Sequence, residues 1–270
     1  MKGPFPIFCR GHSGGRLLCE AFIHNGFWMG ISDGKTRDAR EFAERNPVVK
    51  QLVEAAFRYP EMPPAEKAHV QHTLRELVET SKNNCPNPDS YVAYGWKRAI
   101  TTFMIEIFMD AFPDSKVVHL IRDGRDLMLS RLNSRMRRVA DEPFSRMLVL
   151  GDANITQYRE KPLTWKMVKA YRNEFEMLHW VTAVRFGMRG RASPDRYLEI
   201  LYEELCAHPV ATLARVFDFL ETPFRPQARE WITQQASKQR IGKWKLYEEQ
   251  LQDAIRIGEP LLRELGYMQC

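Results

Sequence analysis

The sequence lacks any long apolar run. A helix needs about 20 consecutive apolar residues to cross a bilayer, and no stretch reaches that length although 44% of the 270 residues are hydrophobic. The residues from Met1 to Pro4 lead straight into an apolar segment, without the pattern of a secretory signal peptide. We therefore expect a chain that does not span a membrane and that lies in the cytoplasm.

Cysteine is scarce, and no cysteine pair has the spacing of a metal site. The chain has 5 cysteines, spread from Cys9 to Cys270, and such an odd, scattered set is typical of reduced intracellular thiols. His69 and His72 are three residues apart on a predicted helix, and we interpret them as surface histidines rather than a metal pair. We predict that the protein binds no metal.

Acidic residues are few where basic residues are densest. Between Arg122 and Arg138 the chain has six arginines but only two acids, Asp123 and Asp126. The net charge of +6 favours anionic ligands, and a nucleic-acid surface is one interpretation of the cluster. However, no aromatic residue alternates with these arginines to stack on bases. We therefore expect no nucleic-acid partner.

The chain also lacks the Gly-Lys-Ser/Thr ending of a Walker A loop, yet a glycine-rich turn follows its first apolar segment. The turn consists of Arg10, Gly11, His12, Ser13, Gly14, Gly15, Arg16 and Leu17. Successive backbone N–H groups and a helix N-terminus form a cradle for an anion. Glycine lets the backbone approach that anion without an intervening Cβ. The turn therefore predicts a phosphate-type site.

A second strand-turn-helix junction lies at residues 116–130. A β-branched apolar run is followed directly by the turn Arg122-Asp123-Gly124-Arg125-Asp126. Arg122 and Ser130, on the following helix, can converge on one phosphate. The two aspartates are predicted to cap the helix and orient the arginines. Together the junctions predict a site for a nucleotide with phosphates at both ends; the alternative is a turn with surface ion pairs only.

Strand signals alternate with helical stretches along the chain, which predicts an α/β fold with a central parallel sheet flanked by helices. The predicted strands are Phe5–Cys9, Tyr91–Tyr94, Lys116–Ile121 and Tyr197–Leu201. The predicted helices are Arg16–Asn25, Glu41–Tyr59, Pro64–Ser81, Thr101–Ala111, Gly124–Leu132, Thr164–Phe186, Pro209–Leu220, Pro226–Gln235 and Tyr247–Leu265. Ligands of such sheets bind beyond the carboxyl ends of the strands, which is where Arg10, Lys97, Arg122 and Tyr202 fall.

We expect one domain over residues 1–270, since the chain is long enough for one substantial core. The stretch 135–161 shows no clean periodicity. It is either a solvated crossover or a lid that shapes an acceptor pocket. The sequence gives no signal of an oligomeric state.

In this order the motifs resemble those of sulfotransferases that use 3′-phosphoadenosine 5′-phosphosulfate (PAPS), and the likeness extends over most of the chain. Residues 10–17 resemble the family's 5′-phosphosulfate loop, and residues 122–130 resemble its 3′-phosphate motif with glycine in place of a proline. Trp96-Lys97 resembles the family's lysine segment. Tyr202 begins a segment whose tyrosine lies near the adenine, and Gly242-Lys243-Trp244 resembles a loop that closes over the nucleotide.

The resemblance implies a bacterial-type, P-loop-like sulfotransferase architecture and a definite reaction. A sulfuryl group would pass from PAPS to a hydroxyl or amine acceptor, with carbohydrates and lipids among the candidates. Adenosine 3′,5′-bisphosphate (PAP) would be the product. In such a reaction Lys97 and Arg16 would neutralise charge on the leaving oxygen.

Two departures from the family pattern affect the expected chemistry. His12 stands where the family has arginine or lysine, so Arg10 and Arg16 are both candidates for the missing charge. Ala99 stands where cytosolic members often have the histidine base. Asp38 and Glu41 resemble the acidic neighbourhood that supplies a carboxylate in some Golgi-type relatives, so both are candidate bases. His12 is another candidate. A P-loop kinase-like phosphotransferase and a non-catalytic nucleotide-binding relative stay open as alternatives.

Overall fold

The computed structural model describes residues 1–32, 34–132 and 172–268. Its strands are β1 (Ile7–Cys9), β2 (Phe27–Trp28), β3 (Ala93–Tyr94), β4 (Val117–Ile121) and β5 (Tyr197–Leu201). Its α-helices are α1 (Gly15–His24), α2 (Pro47–Ala56), α3 (Pro64–Asn83), α4 (Ile105–Ala111), α5 (Gly124–Leu132), α6 (Arg172–Met188), α7 (Tyr202–Ala207), α8 (Pro209–Phe219), α9 (Pro226–Gln235) and α10 (Glu248–Glu264).

The described residues fall into two compact units. The first consists of Met1–Ile121 and Phe186–Lys238, and the second of Arg122–Arg185 and Gln239–Cys270. The predicted single domain over the whole chain stays a prediction. The segment 135–161, predicted to be a crossover or a lid, lies outside the described residues.

The sheet of the first unit is parallel. Strands β1, β4 and β5 pair in that order, with Cys9 opposite Leu120 and Ile121 opposite Leu201. Strands β2 and β3 form a second parallel pair. Isolated parallel bridges, Lys2 to Ala93 and Ile7 to Lys97, join that pair to the segment that contains β1. The predicted α/β fold with a parallel sheet and packed helices is confirmed.

Strands β1 and β4 are buried on both faces because helices cover them. Every residue of β1 and of β4 is buried, as expected for a parallel sheet enclosed by helices. Aromatic rings fill the space beside the sheet: Phe8 contacts Phe108 edge to face at 5.8 Å between centroids, and Phe42 stacks on Trp96 at 4.4 Å. This core fixes the strand ends at which the loops of the first unit begin.

A buried polar network crosses the β4–β5 pair. The Tyr197 hydroxyl donates to Glu199 at 2.9 Å, so the Nδ1–H of His119 donates to the same hydroxyl oxygen at 2.6 Å. Arg191 binds the other oxygen of Glu199 at 2.7 Å. Burial lowers the pKa of His119 to about 4. Burial opposes ionisation of Glu199, but the hydrogen bonds from Arg191 and Tyr197 outweigh it and hold its pKa below the ordinary value.

Most predicted helices are present, and the exceptions have local causes. The predicted helix Glu41–Tyr59 begins instead at Pro47, because Asn46 caps α2 by accepting from the Val48 amide at 3.0 Å. The start of the predicted helix Thr101–Ala111 lies within a 3₁₀ helix, Ala99–Met104. Strand β2 and helix α7 were not predicted, since two and six residues carry little periodicity. Within the described part of the chain no helix is long and apolar enough to cross a membrane.

Candidate functional site

The glycine-rich turn of the first unit joins β1 to α1 and leaves the start of the helix open. The Ser13 amide donates to the Arg10 carbonyl at 3.1 Å, which closes the turn. Gly14 is the N-cap residue of α1, with φ 89°, and no side chain of the described residues caps the helix. His12 also has positive φ, 73°, which is uncommon for a residue with a side chain. The helix N-terminus is therefore available to an anion.

Two glycines of this turn are required by close packing. A Cβ added at Gly14 would lie 2.2 Å from the Tyr202 ring, and one added at Gly15 would lie 2.6 Å from the Cys9 sulfur and 3.3 Å from Cδ of Lys97. The structure thus brings together the turn, Lys97 and Tyr202. This agrees with the prediction that all three lie beyond the carboxyl ends of the strands. From the sequence, we expected glycine here because the backbone must approach a phosphate. The structure adds a second reason, since neighbouring side chains leave no space for a Cβ at Gly14 or Gly15.

A buried hydroxyl lies within the turn. The Ser13 side chain is 1% exposed, and its Oγ has no hydrogen-bond partner among the residues that the structure describes. Burying a hydroxyl without a partner costs about 1–3 kcal/mol. Arg10, next to the turn's start, is also buried, at 5% exposure. An oxyanion ligand would supply the partner that Ser13 lacks.

Lys97 lies beside the turn, and its ammonium is bound to residues of a neighbouring loop. Its Nζ donates to the Thr36 carbonyl at 2.6 Å and to Oδ1 of Asp38 at 2.8 Å. The Lys97 main chain is held too, since its carbonyl accepts from the Ala39 amide at 3.0 Å. Lys97 and Asp38 thus form an ion pair, which the sequence did not predict.

Arg16, predicted to neutralise charge on the leaving oxygen, has an exposed side chain at the start of α1. One guanidinium nitrogen donates to the Lys35 carbonyl at 3.2 Å. Leu17 follows within the helix and is half-buried.

Glu41 differs from Asp38 in its surroundings. Its Oε1 accepts from the Ile31 amide at 3.2 Å. Its Oε2 is buried and has no hydrogen-bond partner in the described ranges, and a Cβ at Gly30 would lie 3.5 Å from it. Of the two carboxylates, therefore, Glu41 has a buried oxygen without a partner among the described residues, whereas Asp38 is ion-paired to a lysine through Oδ1.

The thiols near the turn are not activated. Burial raises the pKa of Cys9 to about 11, although the Lys97 charge opposes the shift. Burial likewise raises the pKa of Cys19 to about 12. Since the thiolate is the nucleophilic form, neither residue is a nucleophile at neutral pH.

In the second unit the turn after β4 is a set of ion pairs. Asp123 accepts from the Arg125 amide at 2.9 Å and from its guanidinium at 2.8 Å and 3.0 Å. The predicted role of Asp123, to cap the helix and orient an arginine, is confirmed. The Arg122 guanidinium is buried and donates to the Arg240 carbonyl at 2.6 Å. Ser130 lies on α5, half-buried.

Asp126 has a role that the sequence did not reveal. We predicted that it caps its own helix, but its carboxylate accepts from the amides of Gly242 and Trp244 at 2.6 Å and 3.0 Å. The Arg125 guanidinium lies 3.8 Å from the centroid of the Trp244 ring. Burial raises the pKa of Asp126, although the two amide bonds oppose the shift. These contacts bring the predicted 3′ motif and the Gly-Lys-Trp segment together, while the Lys243 side chain is exposed.

Gly124, the departure from the family's proline, is explained by Trp180. A Cβ at position 124 would lie 2.5 Å from the Trp180 ring. The indole N–H donates to the Arg122 carbonyl at 3.0 Å. Trp180 thus occupies the space that a proline would need. No sequence signal marked it, because it lies on α6, 56 residues beyond the turn.

Among the described residues, no group of three or more His, Cys, Asp or Glu side chains could hold a metal ion.

The chain matches the model of the sulfotransferase family over residues 31–226. That range includes Lys97, residues 122–130 and Tyr202, but neither the turn after β1 nor residues 242–244. The sequence is also 27% identical to mouse carbohydrate sulfotransferase 4 over 116 residues, which is 43% of this chain and 28% of the mouse protein. The chain thus matches less than a third of that relative.

Several solved structures are similar. The sulfotransferase domain of the Synechococcus PCC 7002 olefin synthase is 17% identical, with 97% of this chain and 96% of that chain covered and a TM-score of 0.49. Mouse sulfotransferase SULT7A1, solved in complex with PAP, is 12% identical, with 87% of this chain and 64% of that chain covered and a TM-score of 0.47.

Proposed function

The chain belongs to the sulfotransferase family, and from that premise we propose that it transfers a sulfuryl group from PAPS to a hydroxyl or amine acceptor, releasing PAP. A carbohydrate hydroxyl is the first acceptor class to test, because the chain is similar over 116 residues to a carbohydrate sulfotransferase. We propose the cytoplasm as its compartment.

The observation that carries the proposal is the turn between β1 and α1. It combines an open helix N-terminus with the buried hydroxyl of Ser13, which has no partner among the described residues, and Lys97 packs against it at Gly15. A helix N-terminus favours negative charge. A sulfate or phosphate oxygen would satisfy the Ser13 hydroxyl, so this turn suits the phosphosulfate end of PAPS.

The reaction needs positioning and cations. The acceptor oxygen or nitrogen forms a bond to sulfur while the bond from sulfur to the 5′-phosphate oxygen breaks, and that oxygen leaves with the electron pair. Lys97 donates an N–H to the leaving oxygen, where negative charge develops. Arg10 and Arg16 add positive charge to the turn.

The acceptor's proton must pass to a base. Glu41 is the better candidate of the two carboxylates, because its buried Oε2 has no partner within the described residues. His12 is the second candidate. It lies in the turn itself, where hydrogen bonding to the sulfate is its other role.

The second unit supplies groups for the 3′-phosphate. Arg122 and Ser130 bind that phosphate in the proposal, and Asp123 holds Arg125 in place beside them. Asp126 keeps residues 242–244 against this motif, and in the proposal these residues contact the 3′ end of the nucleotide. Tyr202, which packs on Gly14, contacts the adenine.

Calorimetry with PAP and with ATP tests the donor. We expect PAP to bind at least about 10-fold more tightly than ATP, a difference of about 1.4 kcal/mol. Preferential binding of ATP would favour a kinase-like phosphotransferase. Turnover of PAPS with a panel of sugars, lipids, phenols and amines then tests catalysis, and tight PAP binding without turnover on any acceptor would identify a non-catalytic relative.

A further inference from the structure

The ammonium of Lys97 is held by two acceptors from one loop, residues 34–38. Its distances are 2.6 Å to the Thr36 carbonyl and 2.8 Å to the Asp38 carboxylate. The Lys97 side chain is 7% exposed and that of Asp38 is 26% exposed. This pair is therefore more sheltered from water than an ordinary surface ion pair, and its geometry is better defined.

The loop itself is fastened to the first helix. Its three consecutive carbonyls at Lys35, Thr36 and Arg37 accept from Arg16, Lys97 and the Cys19 thiol, respectively. A bridge between Ser32 and Ala39 closes the base of the loop. Because these bonds fix the backbone, the two acceptors of Lys97 are themselves fixed.

An ammonium group has three N–H donors at tetrahedral angles. With two of them directed at Thr36 and Asp38, the direction of the third is set. In the described part of the chain, the side chain of Lys97 makes no hydrogen bonds beyond these two. The third N–H is the donor that remains for a ligand.

We infer that Asp38 is a positioning residue that aims the third N–H of Lys97 at the transferring group, and that it is not the base. The inference rests on the proposed sulfuryl transfer. The Asp38 Oδ1 accepts from Lys97, whereas Glu41 has a buried Oε2 with no partner in the described part of the chain. Asp38 also places a negative charge near a site for anions. Its removal should therefore ease nucleotide binding while it slows the reaction.

The test compares Asp38→Ala with Glu20→Gln. Glu20 forms an ion pair of the same length, 2.8 Å, with Arg37, the neighbouring residue of the same loop, so it is a matched control that does not touch Lys97. Asp38→Ala should lower kcat by about 10–100-fold, the scale of a misplaced catalytic group, with PAP affinity unchanged or increased. Glu20→Gln should leave both within about 2-fold, as expected for a partly exposed ion pair. Thermal unfolding of each variant measures any common loss of stability.

Two further variants separate positioning from a structural role. Asp38→Asn keeps an acceptor oxygen at the same place and should recover most of the lost kcat. In a Lys97→Ala background, Asp38→Ala should cause no further loss, because it acts only through that lysine. Losses that add in the double variant, no recovery with Asn, or equal losses with Glu20→Gln would each overturn the inference.

The outcomes also separate this inference from the proposed function. A wild-type protein that neither binds PAP nor turns over PAPS, with an acceptor or with water, would overturn the function and this inference with it. A wild-type protein that turns over PAPS, with Asp38→Ala equally active, would overturn the inference alone.

Discussion

The turn after β1 and the turn after β4 both follow a buried parallel strand, yet they are built from different groups. The first uses backbone amides, two tightly packed glycines and a neutral hydroxyl, Ser13. The second uses charged side chains, with Asp123 on Arg125 and Asp126 on the amides of a distant segment. The first turn should therefore be sensitive to added volume, and the second to lost charge.

We expect the largest loss of activity from a change at Lys97, the lysine that packs against the first turn. Lys97→Ala should lower kcat by about 10²–10³-fold, because one preorganised donor to the leaving oxygen is lost. The PAP dissociation constant should change less, since the backbone cradle is kept. Lys97→Arg should recover activity only in part, because a planar fork replaces a compact ammonium.

Lys116→Ala is the matched control for that change. Lys116 is also ion-paired, with Glu221 at 2.6 Å, but it precedes β4 and has no role in the proposed chemistry. Steady-state rates should be near wild type for this variant. A folded Lys97→Ala protein with the wild-type rate would remove Lys97 from the mechanism.

The second turn should respond to lost charge. Arg122→Ala should weaken PAP binding by about 2–4 kcal/mol, the cost of breaking a desolvated charge pair. Adenosine 5′-phosphosulfate, which has no 3′-phosphate, should lose far less affinity. Calorimetry with both ligands measures the difference, and equal losses would show that Arg122 is structural only.

The stability of the folded chain should fall in acid through a buried histidine of the first unit. The pKa of His119, in the first unit, is lowered from 6.5 to about 4 by burial. A lowered pKa means that the folded state resists protonation, so the stability from the neutral ring is complete above pH 6.5 and is lost as the pH falls toward 4. The loss should be about 3 kcal/mol at about 1.4 kcal/mol per pH unit.

Urea unfolding at several pH values between 7 and 4 measures this slope. His119→Gln should be less stable at pH 7, since the ring packs closely on Gly187, but its stability should fall less steeply with acid. An unchanged slope in the variant would assign the acid sensitivity to other groups.

Added volume should distinguish two glycines that share a positive φ. Gly14 has φ 89° and Gly242 has φ 73°. Among the described residues, Tyr202 lies where a Cβ at Gly14 would be, and nothing lies within 4 Å of a Cβ at Gly242. Gly242→Ala should cost about 1–2 kcal/mol for the left-handed backbone alone. Gly14→Ala should cost about 1–3 kcal/mol more for overpacking and should also weaken PAP binding. Denaturant unfolding of both variants checks the ranking, and equal costs would contradict the role of Tyr202.

What the sequence predicted was local. The helix Gly124–Leu132 has its predicted bounds, and the predicted strand Lys116–Ile121 begins one residue later, at Val117. Both agree closely because strand, turn and helix signals follow one another directly there. The turn at residues 10–17 was found in the same way. The predicted helix Glu41–Tyr59 was wrong at its start, because the capping residue Asn46 decides where helix α2 begins.

What the sequence did not predict depends on contacts between distant residues. Asp126 binds amides 116 and 118 positions away, and an aspartate in a first helical turn looks like an ordinary cap. Trp180 fills the place opposite Gly124 from a separate helix. The pairing of Lys97 with Asp38, 59 residues apart, had no signal in the sequence.

The buried thiol of Cys9 provides a way to measure how often the turn between β1 and α1 opens. The thiol is 2% exposed, with its pKa raised to about 11, and its sulfur occupies the space in front of Gly15. An alkylating reagent can modify this sulfur only while the turn is open. The rate at which Cys9 is labelled, followed by peptide mass spectrometry, therefore measures local opening of the turn. This labelling rate should fall when PAP occupies the turn.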